Sequence, residues 1–445
     1  MDTRLTTTDL TRELDTLPVT WLHLLVGLAC ALGFCFDLAE IAFGTILGAV
    51  FSAPPHVIDG QLLSWLLSSV YVGAIIGAPV GGWLADRHGR RFTLLATLLV
   101  LTVSSLGASA TADTTLLIAA RLISGLALGA YPPLMTAYLA DIMPAARRGS
   151  LAMGAIAIGY LGPPVLILVV RWLTPIAPLG LEAWRWAFVI GGVGAALCAL
   201  LFAVVPESPR WLARAGRLDE AWRALERFRR SAPVLPAVAP IPKTPQVLPA
   251  VGPTRATFVR RVLFLLIIYF LTPWATVGFS LLSGAILVGK GINLQDSLLY
   301  VGISNFGPVI GTLAGALFVD RVDRRVALCV AAAAMAILGI LFAATSSPFW
   351  LISSGLAFNL LTSLFLPVLV LYAAEMFSTT QRAATTSLAW ASNRVGSALV
   401  PLALLPLLHA GGALPVFIVI GLTLAVFVAV IATFGPQGKP GLAVE

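Results

Sequence analysis

Long apolar segments recur along the whole chain and are separated by short polar turns. Most of them reach about 20 residues, which lets a helix cross the roughly 30 Å hydrocarbon core of a bilayer. They lack the strict alternation of barrel strands, and lipid admits only helices or closed barrels. We therefore predict twelve membrane-spanning helices, over residues 20–45, 61–85, 92–112, 114–142, 150–173, 183–205, 257–287, 293–319, 326–345, 348–375, 381–409 and 412–434.

One longer polar segment divides these spans into two groups of six. Its first part contains LDEAWRALERFRR, whose apolar residues have helical spacing, so we predict an amphipathic helix at the membrane face. Its second part carries prolines at short intervals from Pro233 to Pro253, which disfavours helix and strand alike and favours an extended tether. Near the start, TDLTRELDTL fits a short amphipathic helix and a disordered tail equally well. The predicted organisation is a tail at 1–19, a bundle at 20–205, a central loop at 206–256, a second bundle at 257–434 and a tail at 435–445.

Composition and charge agree with this organisation. Hydrophobic residues make up 59% of the 445 positions and charged residues only 11%, which is too few to cover a water-facing surface. The net charge of +8 does not indicate nucleic-acid binding, because the basic residues are concentrated in alternate loops between spans. That bias predicts both termini in the cytoplasm. The basic residues outside those loops are Arg121, Arg171, Arg185, Lys290 and Arg394.

Motifs of other function classes are missing from the sequence. The four cysteines lie in apolar segments without metal or redox spacing, and the four histidines are scattered. No metalloprotease, phosphate-loop or dinucleotide motif occurs, so neither an enzyme nor an ATP-driven pump is supported. We expect a monomer without metal or cofactor, whose partners are the bilayer, protons and a small-molecule substrate. The excess of arginine over lysine favours a bacterial inner membrane.

The two groups of spans are copies of one unit. The segment GAPVGGWLADRHGRR at 77–91 matches GTLAGALFVDRVDRR at 311–325, a shift of 234 positions. The same shift aligns identical residues elsewhere in the copies: Gly44 with Gly278, Gln61 with Gln295, Pro133 with Pro367, Tyr138 with Tyr372, Arg148 with Arg382 and Gly162 with Gly396. A duplicated six-helix unit is typical of secondary transporters, whose substrate site lies between the halves.

Charged residues cluster in the turn after the second span of each copy. Glycines at 77, 81 and 82 predict close packing of that span against a neighbour. Acids at the ends of nearby spans can pair with the arginines, and such pairs can hold helix ends together in one state and release them in another. The alternative is that the arginines only anchor the loop. The predicted gating residues are Gly82, Asp86, Arg87, Arg90, Arg91, Asp141, Arg148, Glu207, Arg210, Asp320, Arg321, Arg324, Arg325, Glu375 and Arg382.

Several of these segments resemble the signature motifs of the major facilitator superfamily. The loop at 82–91 is similar to its loop motif, RLISG at 121–125 to its fourth-helix arginine motif, and PESPRWL at 206–212 to the end of the sixth helix in sugar porters and related metabolite transporters. The acid–arginine spacings at 141–148 and 375–382 resemble those of the fourth and tenth helices, although Asp141 replaces a usual glutamate and Asp323 a usual glycine. The resemblance extends from about 20 to 434. It implies an all-α polytopic membrane protein with the major facilitator fold, two pseudo-symmetric six-helix bundles.

Three ionisable residues inside the spans are candidates for proton coupling, because charge within a membrane is costly and is usually functional. Asp37 and Glu40 are three apart on the first span and share a helix face. Arg121, on the fourth span, lies at a matching depth and can pair with either acid. A pair that separates during transport would load and release a proton, whereas a static pair would only fix the packing of the two spans. FDLAE is similar to the first span of niacin-type and aromatic-acid-type proton symporters, which carry two acids at this spacing.

A fourth charge, Arg394, lies about halfway along the eleventh span. An arginine there needs a wet cavity or an anion, and its planar fork suits a carboxylate. The alternative is a structural role against backbone carbonyls. Asn305 and Asn359 fall at similar depth, and Trp274 and Tyr160 can supply aromatic walls, although all four can equally serve as helix-packing contacts.

These residues favour a proton-coupled symporter of a small organic acid, aromatic or nicotinate-like, that works by alternating access. A sugar:proton symporter is the first alternative and is supported by PESPRWL, but the seventh span lacks the paired glutamines that sugar porters share. A drug or metabolite exporter is the second alternative. GYLGPP in the fifth span contains one Gly-Pro step and not the fuller glycine pattern of antiporters.

Overall fold

A computed structural model describes residues 7–236, 255–318, 323–377 and 379–436. Within them lie twelve helices that are long and apolar enough to cross a membrane, which confirms the predicted fold class. Numbered in chain order, helices 1 to 12 are Trp21–Val50, Gly60–His88, Arg90–Ala110, Thr114–Ile142, Arg148–Gly159 continued by Gly162–Leu173, Ala183–Val204, Arg255–Gly289, Leu294–Ser304 continued by Gly307–Phe318, Arg324–Ala344, Pro348–Glu375, Thr379–Gly411 and Ala413–Phe434.

Local sequence signals set the ends of these helices. Asp59 accepts hydrogen bonds from the first backbone N–H groups of helix 2, and Asp113 does the same for helix 4. Gly89 joins helices 2 and 3 with φ of 107°, a conformation that favours glycine. Helix 3 ends at Ala110 and helix 4 begins at Thr114, so the boundary between them falls close to its predicted position.

Helices 5 and 8 are broken near their middles, although the sequence predicted continuous spans. Proline supplies no N–H, so the carbonyl four residues before it loses its helical partner. Pro163 and Pro164 follow the break at Tyr160 and Leu161, and Pro308 follows the break at Asn305 and Phe306. Each break thus precedes a Gly-Pro step.

Small residues let helices 2 and 4 pack backbone to backbone. A Cβ on Gly73 would lie 2.9 Å from Cα of Gly125, and one on Gly77 would lie 2.6 Å from Cα of Leu126. Gly81 packs against Ala130 in the same way. The prediction that Gly82 shares this packing is wrong. Gly82 is exposed, and a Cβ added there would meet no atom within 4 Å, because the next residue along a helix points about 100° away.

The two bundles meet through helix pairs 1 and 7, 2 and 11, and 5 and 8. The Thr45 hydroxyl donates to the carbonyl of Ser280 at 2.8 Å, and Arg171 donates to the carbonyl of Gln295 at 3.2 Å. Gly60 at the start of helix 2 lies against His409 at the end of helix 11. These three contacts lie on the side away from the cap described below, called the far face, whereas helices 5 and 8 also touch through their other halves, Arg148–Gly159 and Gly307–Phe318.

The opposite side carries a small cap formed by residues 7–20 and 206–236. Helix Thr7–Thr16 buries Leu10 and Leu14, one turn apart, against helices Pro209–Arg214 and Leu218–Arg230. The amphipathic helix predicted at LDEAWRALERFRR is therefore present, and TDLTRELDTL is helical. Contrary to prediction, the start of the proline tract, Pro233–Leu235, is a short strand that pairs with Val19–Thr20. The rest of the predicted tether, 237–254, lies outside the described residues.

Candidate functional site

Asp37 and Glu40 lie one turn apart near the centre of helix 1, and the side chains of both are 1% exposed. Helix 1 packs against helices 4, 5 and 6 of its own bundle and against helix 7 of the other. The two carboxyl groups are therefore placed close to the surface where the bundles meet. Their surroundings differ completely.

Glu40 is fully engaged with neighbouring side chains. Arg121 on helix 4, itself 1% exposed, forms an ion pair with the Glu40 carboxylate through Nη1 and donates from Nη2 to the Glu40 carbonyl at 2.8 Å. Ser105 on helix 3 donates to one carboxylate oxygen at 3.0 Å, and Ser124 donates to the other at 2.9 Å. Of the two acids that could pair with Arg121, Glu40 is the one that does so in the structure. The result is a buried, hydrogen-bonded ion pair that joins helices 1, 3 and 4.

Asp37, by contrast, has no hydrogen-bond partner on either carboxylate oxygen among the residues that the structure describes. Arg394 on helix 11 is close enough to attract the Asp37 carboxylate, and Glu40 is close enough to repel it. Arg394 is half-buried and makes no hydrogen bond or ion pair with any residue that the structure describes. Asp37 and Arg394 are thus opposite charges on different bundles that attract one another without direct contact.

Further polar atoms without a partner lie on helices 2 and 7. The Tyr71 hydroxyl is buried and lies close enough to both Arg121 and Arg394 to interact with them electrostatically. The indole N–H of Trp274 and the hydroxyl of Tyr269 are also buried, and neither has a hydrogen-bond partner in the described part of the chain. The shift of 234 relates Trp274 to Glu40 and Asn305 to Tyr71. These groups could bond to water or to a polar substrate.

Two other candidate substrate residues, Tyr160 and Asn305, lie at the helix breaks. Tyr160 is at the break of helix 5, where its ring packs edge-on against Phe34. Asn305 is at the break of helix 8 and donates to the carbonyl of Val301 at 2.9 Å. Both broken helices lie where the two bundles meet.

Asn359 on helix 10 is buried, and both ends of its amide have protein partners. Its Oδ1 accepts from the Ser280 hydroxyl at 3.2 Å, and its Nδ2 donates to the Ser304 carbonyl at 3.2 Å. In an unbroken helix that carbonyl would accept from residue 308, which is proline and has no N–H. Asn359 therefore replaces the missing donor and ties helix 10 to the break of helix 8.

The side of the bundles that carries the cap is called the cap face. On the first bundle, several charged residues of this face form contacts within the bundle. Arg90 pairs with Asp86 at 3.1 Å and with Asp141 at 3.7 Å. Glu207 accepts from the backbone N–H groups of Arg90 and Arg91 at 3.1 and 3.0 Å, and it thereby caps helix 3. Burial raises the pKa of the Glu207 carboxyl, an effect that these backbone donors oppose. Together these bonds join the ends of helices 2, 3, 4 and 6.

Other residues of the predicted gating set have different partners. Arg91 donates to the carbonyls of Phe202 and Ala203 at the end of helix 6, and exposed Arg87 stacks on Trp83. Arg148 and Arg210 both bond to Asp15 of the cap, at 3.1 and 2.6 Å. Arg148 consequently does not form the pair with Asp141 that their spacing suggested, because Asp141 faces Arg90 and the Ser208 hydroxyl.

The second bundle repeats the central pair of this arrangement. Arg324 binds Glu375 at 3.4 Å, and the shift of 234 relates these two residues to Arg90 and Asp141. Arg325 donates to the carbonyl of Ala432 near the end of helix 12, as Arg91 does at helix 6. Asp320, Arg321 and the side chain of Arg382 lie outside the described part of the chain.

Several participants in these contacts were not predicted from the sequence. Ser105, Ser124 and Tyr71 are uncharged residues in apolar spans, where a hydroxyl carries no signal of its own. Asp15 lies in a segment that fitted disorder equally well. Asp15 directly follows Leu14. The amphipathic spacing of Leu10 and Leu14 was the sequence signal that this segment is helical.

Comparison with known proteins agrees with this architecture. The family model described as "Sugar (and other) transporter" matches residues 26–440. The chain is 27% identical to the niacin transporter NiaP of Acinetobacter baylyi, over 97% of this chain and 98% of that protein. It is 32% identical to an arabinose-proton symporter of Bacillus subtilis, over 47% of each. Among solved structures, the xylose transporter XylE of Escherichia coli, inward open, superposes with a TM-score of 0.73 at 18% identity, over 95% of this chain and 98% of that chain.

The match covers nearly the whole chain and both bundles. The relatives named above are transporters, and the fold is that of the major facilitator superfamily. The chain is a multi-pass membrane transporter and not an enzyme, and it belongs to the sugar (and other) transporter family.

Proposed function

We propose that the protein is a proton-coupled symporter of a small organic acid, an aromatic or nicotinate-like carboxylate. The observation that carries this proposal is the relation between Asp37 and Arg394, which are opposite charges without direct partners on the two bundles. Asp37 is the proposed proton carrier and Arg394 the proposed carboxylate ligand. The satisfied pair of Glu40 and Arg121 is assigned a positioning role, because it holds the helix that carries Asp37.

Charge balance explains how this pair would couple the two solutes. In the empty site, ionised Asp37 is the counterion of Arg394, and the net charge is zero. When Asp37 is protonated, a substrate carboxylate takes over as the counterion, and the net charge is again zero. Binding of a proton alone leaves one uncompensated positive charge, and binding of the anion alone leaves one negative charge. Either costs several kcal/mol in a buried site, so the proton and the anion cross together.

Arg394 and the relatives of the protein support a carboxylate as the substrate. A guanidinium binds a carboxylate through two parallel hydrogen bonds, which gives both energy and orientation. Tyr160 and Trp274 are proposed as aromatic walls, and Asn305 as a polar contact. A relative aligned over nearly its entire length is named a niacin transporter.

A sugar:proton symporter is the second candidate, because arabinose and xylose transporters are among the relatives that match about half of the chain. The name of the arabinose-proton symporter supports proton coupling. A neutral sugar, however, could not replace Asp37 as the counterion of Arg394. It would leave that arginine uncompensated once Asp37 is protonated.

The ion pairs of the cap face are proposed as the bistable contacts of the transport cycle. Arg90 with Asp141 and Arg324 with Glu375 occupy equivalent positions in the two bundles, as a rocking motion of two similar halves requires. We place the cap and both termini in the cytoplasm, where the basic loops belong in a bacterial inner membrane. The functional unit is proposed to be the monomer, since each chain carries both halves of the site.

Uptake by the purified protein in liposomes tests the proposal directly. With the outside acidic, labelled nicotinate and benzoate are expected to enter, and their neutral amides, arabinose and xylose are not. Arg394→Gln is expected to abolish carboxylate uptake, whereas Arg394→Lys retains part of it because the charge remains and only the fork is lost. Uptake of a sugar and exclusion of every carboxylate would overturn the assignment.

A further inference from the structure

A cavity of about 490 Å³ lies on the cap face, between the cap and the start of helix 3. Cap helices Pro209–Arg214 and Leu218–Arg230 form one wall, and Arg91 and Phe92 at the start of helix 3 form the other. Four arginines and two glutamates contribute to its lining: Arg91, Arg217, Arg223, Arg227, Glu207 and Glu220. The cavity lies outside the transport site described above.

The position of this cavity is at the level of the lipid headgroups. Phe92, the third residue of helix 3, is 49% exposed, and Val204, the last residue of helix 6, is 62% exposed. Apolar side chains exposed at the ends of spanning helices face the lipid. The Arg227 guanidinium donates to the carbonyl of Val204 at 2.8 Å, so the arginines of the cavity reach this boundary.

Most of the charged groups in the cavity already have protein partners. Arg217 binds Glu220 through two hydrogen bonds of 2.8 and 2.6 Å, and Arg91 bonds to the carbonyls at the end of helix 6. Glu207 accepts backbone N–H groups of helix 3. Arg223 is exposed and makes no hydrogen bond or ion pair with any described residue, and Arg227 has only the Val204 carbonyl. These two are four residues apart and therefore share one face of their helix.

We propose that this cavity binds the headgroup of an anionic phospholipid, with its phosphate held by Arg223 and Arg227. Glu220 attracts Arg223 but already binds Arg217 through two hydrogen bonds, and Arg227 has no acidic partner among the described residues, so both forks can supply the complementary charge. Basic pockets beside spanning helices bind such headgroups. The acyl chains would lie along Phe92 and Val204, on the outside of helices 3 and 6. The lipid would bridge the cap to helix 3, and this proposal does not depend on the identity of the transported substrate.

Native mass spectrometry of the full-length protein in detergent tests this site. Phosphatidylglycerol and phosphatidylcholine with identical acyl chains are titrated against the wild type and against Arg223→Gln combined with Arg227→Gln. Each arginine near a lipid headgroup contributes about fivefold in affinity, so the double variant is expected to bind phosphatidylglycerol about 25-fold more weakly. Both side chains are exposed, so the variant is expected to fold normally.

Arg229→Gln combined with Arg230→Gln is the matched control. These arginines belong to the same helix as Arg223 and Arg227, but they pair with Glu226 and do not line the cavity. Its affinity is expected to stay within about twofold of the wild type. Excess inorganic phosphate is expected to leave the lipid bound, because a free anion gains nothing from the apolar boundary. Equal binding of the two lipids, equal loss in both double variants, or displacement by phosphate would each overturn the proposal, and the last would indicate a site for a soluble anion.

Discussion

Replacing Asp37 with asparagine removes the proposed proton carrier and leaves the volume of the side chain almost unchanged. Because neither carboxylate oxygen has a hydrogen-bond partner, the substitution breaks no bond within the protein. It does remove the counterion of Arg394, so the empty site acquires one uncompensated positive charge. A substrate carboxylate restores neutrality. The variant is therefore expected to carry substrate in the loaded form and to return poorly when empty.

The size of the effect follows from this charge count. An uncompensated buried charge costs about 3 kcal/mol or more, which slows the return of the empty carrier more than about a hundredfold. In the wild type, one unit of pH gradient is worth about 1.4 kcal/mol and supports about tenfold accumulation of the substrate at one proton per carboxylate. In Asp37→Asn the accumulation ratio is expected to fall to about one.

Two assays in liposomes separate these outcomes. Accumulation of labelled nicotinate against a gradient is expected to be lost, whereas exchange of internal unlabelled for external labelled nicotinate is expected to persist. Protein-free liposomes report the passive leak of the neutral acid. The reasoning is refuted if Asp37→Asn still accumulates nicotinate in response to the pH gradient, or if it loses exchange together with accumulation while remaining folded.

Three other substitutions test the structural basis of the site by thermal unfolding in detergent. Glu40→Gln is expected to destabilise the protein by about 3–5 kcal/mol because it leaves Arg121 buried without its partner, and a stability equal to that of Asp37→Asn would contradict the difference between the two acids. Gly77→Val is expected to prevent close packing of helices 2 and 4 and to lower the unfolding temperature strongly, whereas Gly82→Val, where a Cβ meets open space, is expected to be tolerated. Asn359→Leu is expected to cost about 1–3 kcal/mol because the Ser304 carbonyl loses its donor, and a neutral result in a folded, active variant would rule out Asn359 as the support of the helix 8 break. Thr362→Val, on the same helix with a hydroxyl bonded only within that helix, is the control for the last substitution.

The fold was largely predictable because its signals are local or repeated. Apolar length defines the spans, acids such as Asp59 and Asp113 start them, and the shift of 234 identifies two copies. Predicting these features requires only the apolar or polar character of each segment and the repeat within the sequence. The breaks in helices 5 and 8 also had a local cause in Gly-Pro steps. They were not predicted because proline inside a spanning helix can be accommodated without a break, as Pro79 is in helix 2.

The partners of individual charges were much less predictable. The depth of residues along their spans could not show whether Arg121 pairs with Asp37 or with Glu40. One helical turn separates the two acids, and the pairing depends on how helix 1 is rotated about its axis. Arg148 was expected near Asp141 from spacing but binds Asp15, because the amino-terminal helix docks on the cap. That docking depends on tertiary contacts of Leu10 and Leu14, whose spacing indicates an amphipathic helix but not the surface on which it packs.

We propose that one proton and one carboxylate replace each other's charge in a single site formed by Asp37 and Arg394. The most direct measurement of this exchange is the proton flux that accompanies substrate uptake, recorded with a pH-sensitive dye inside the liposomes while the membrane potential is set by potassium and valinomycin. We predict one proton per nicotinate, at a rate that does not change with the potential, and no flux with nicotinamide or arabinose. Proton entry with a neutral sugar, or nicotinate uptake that responds to the potential as a net charge would, contradicts the claim.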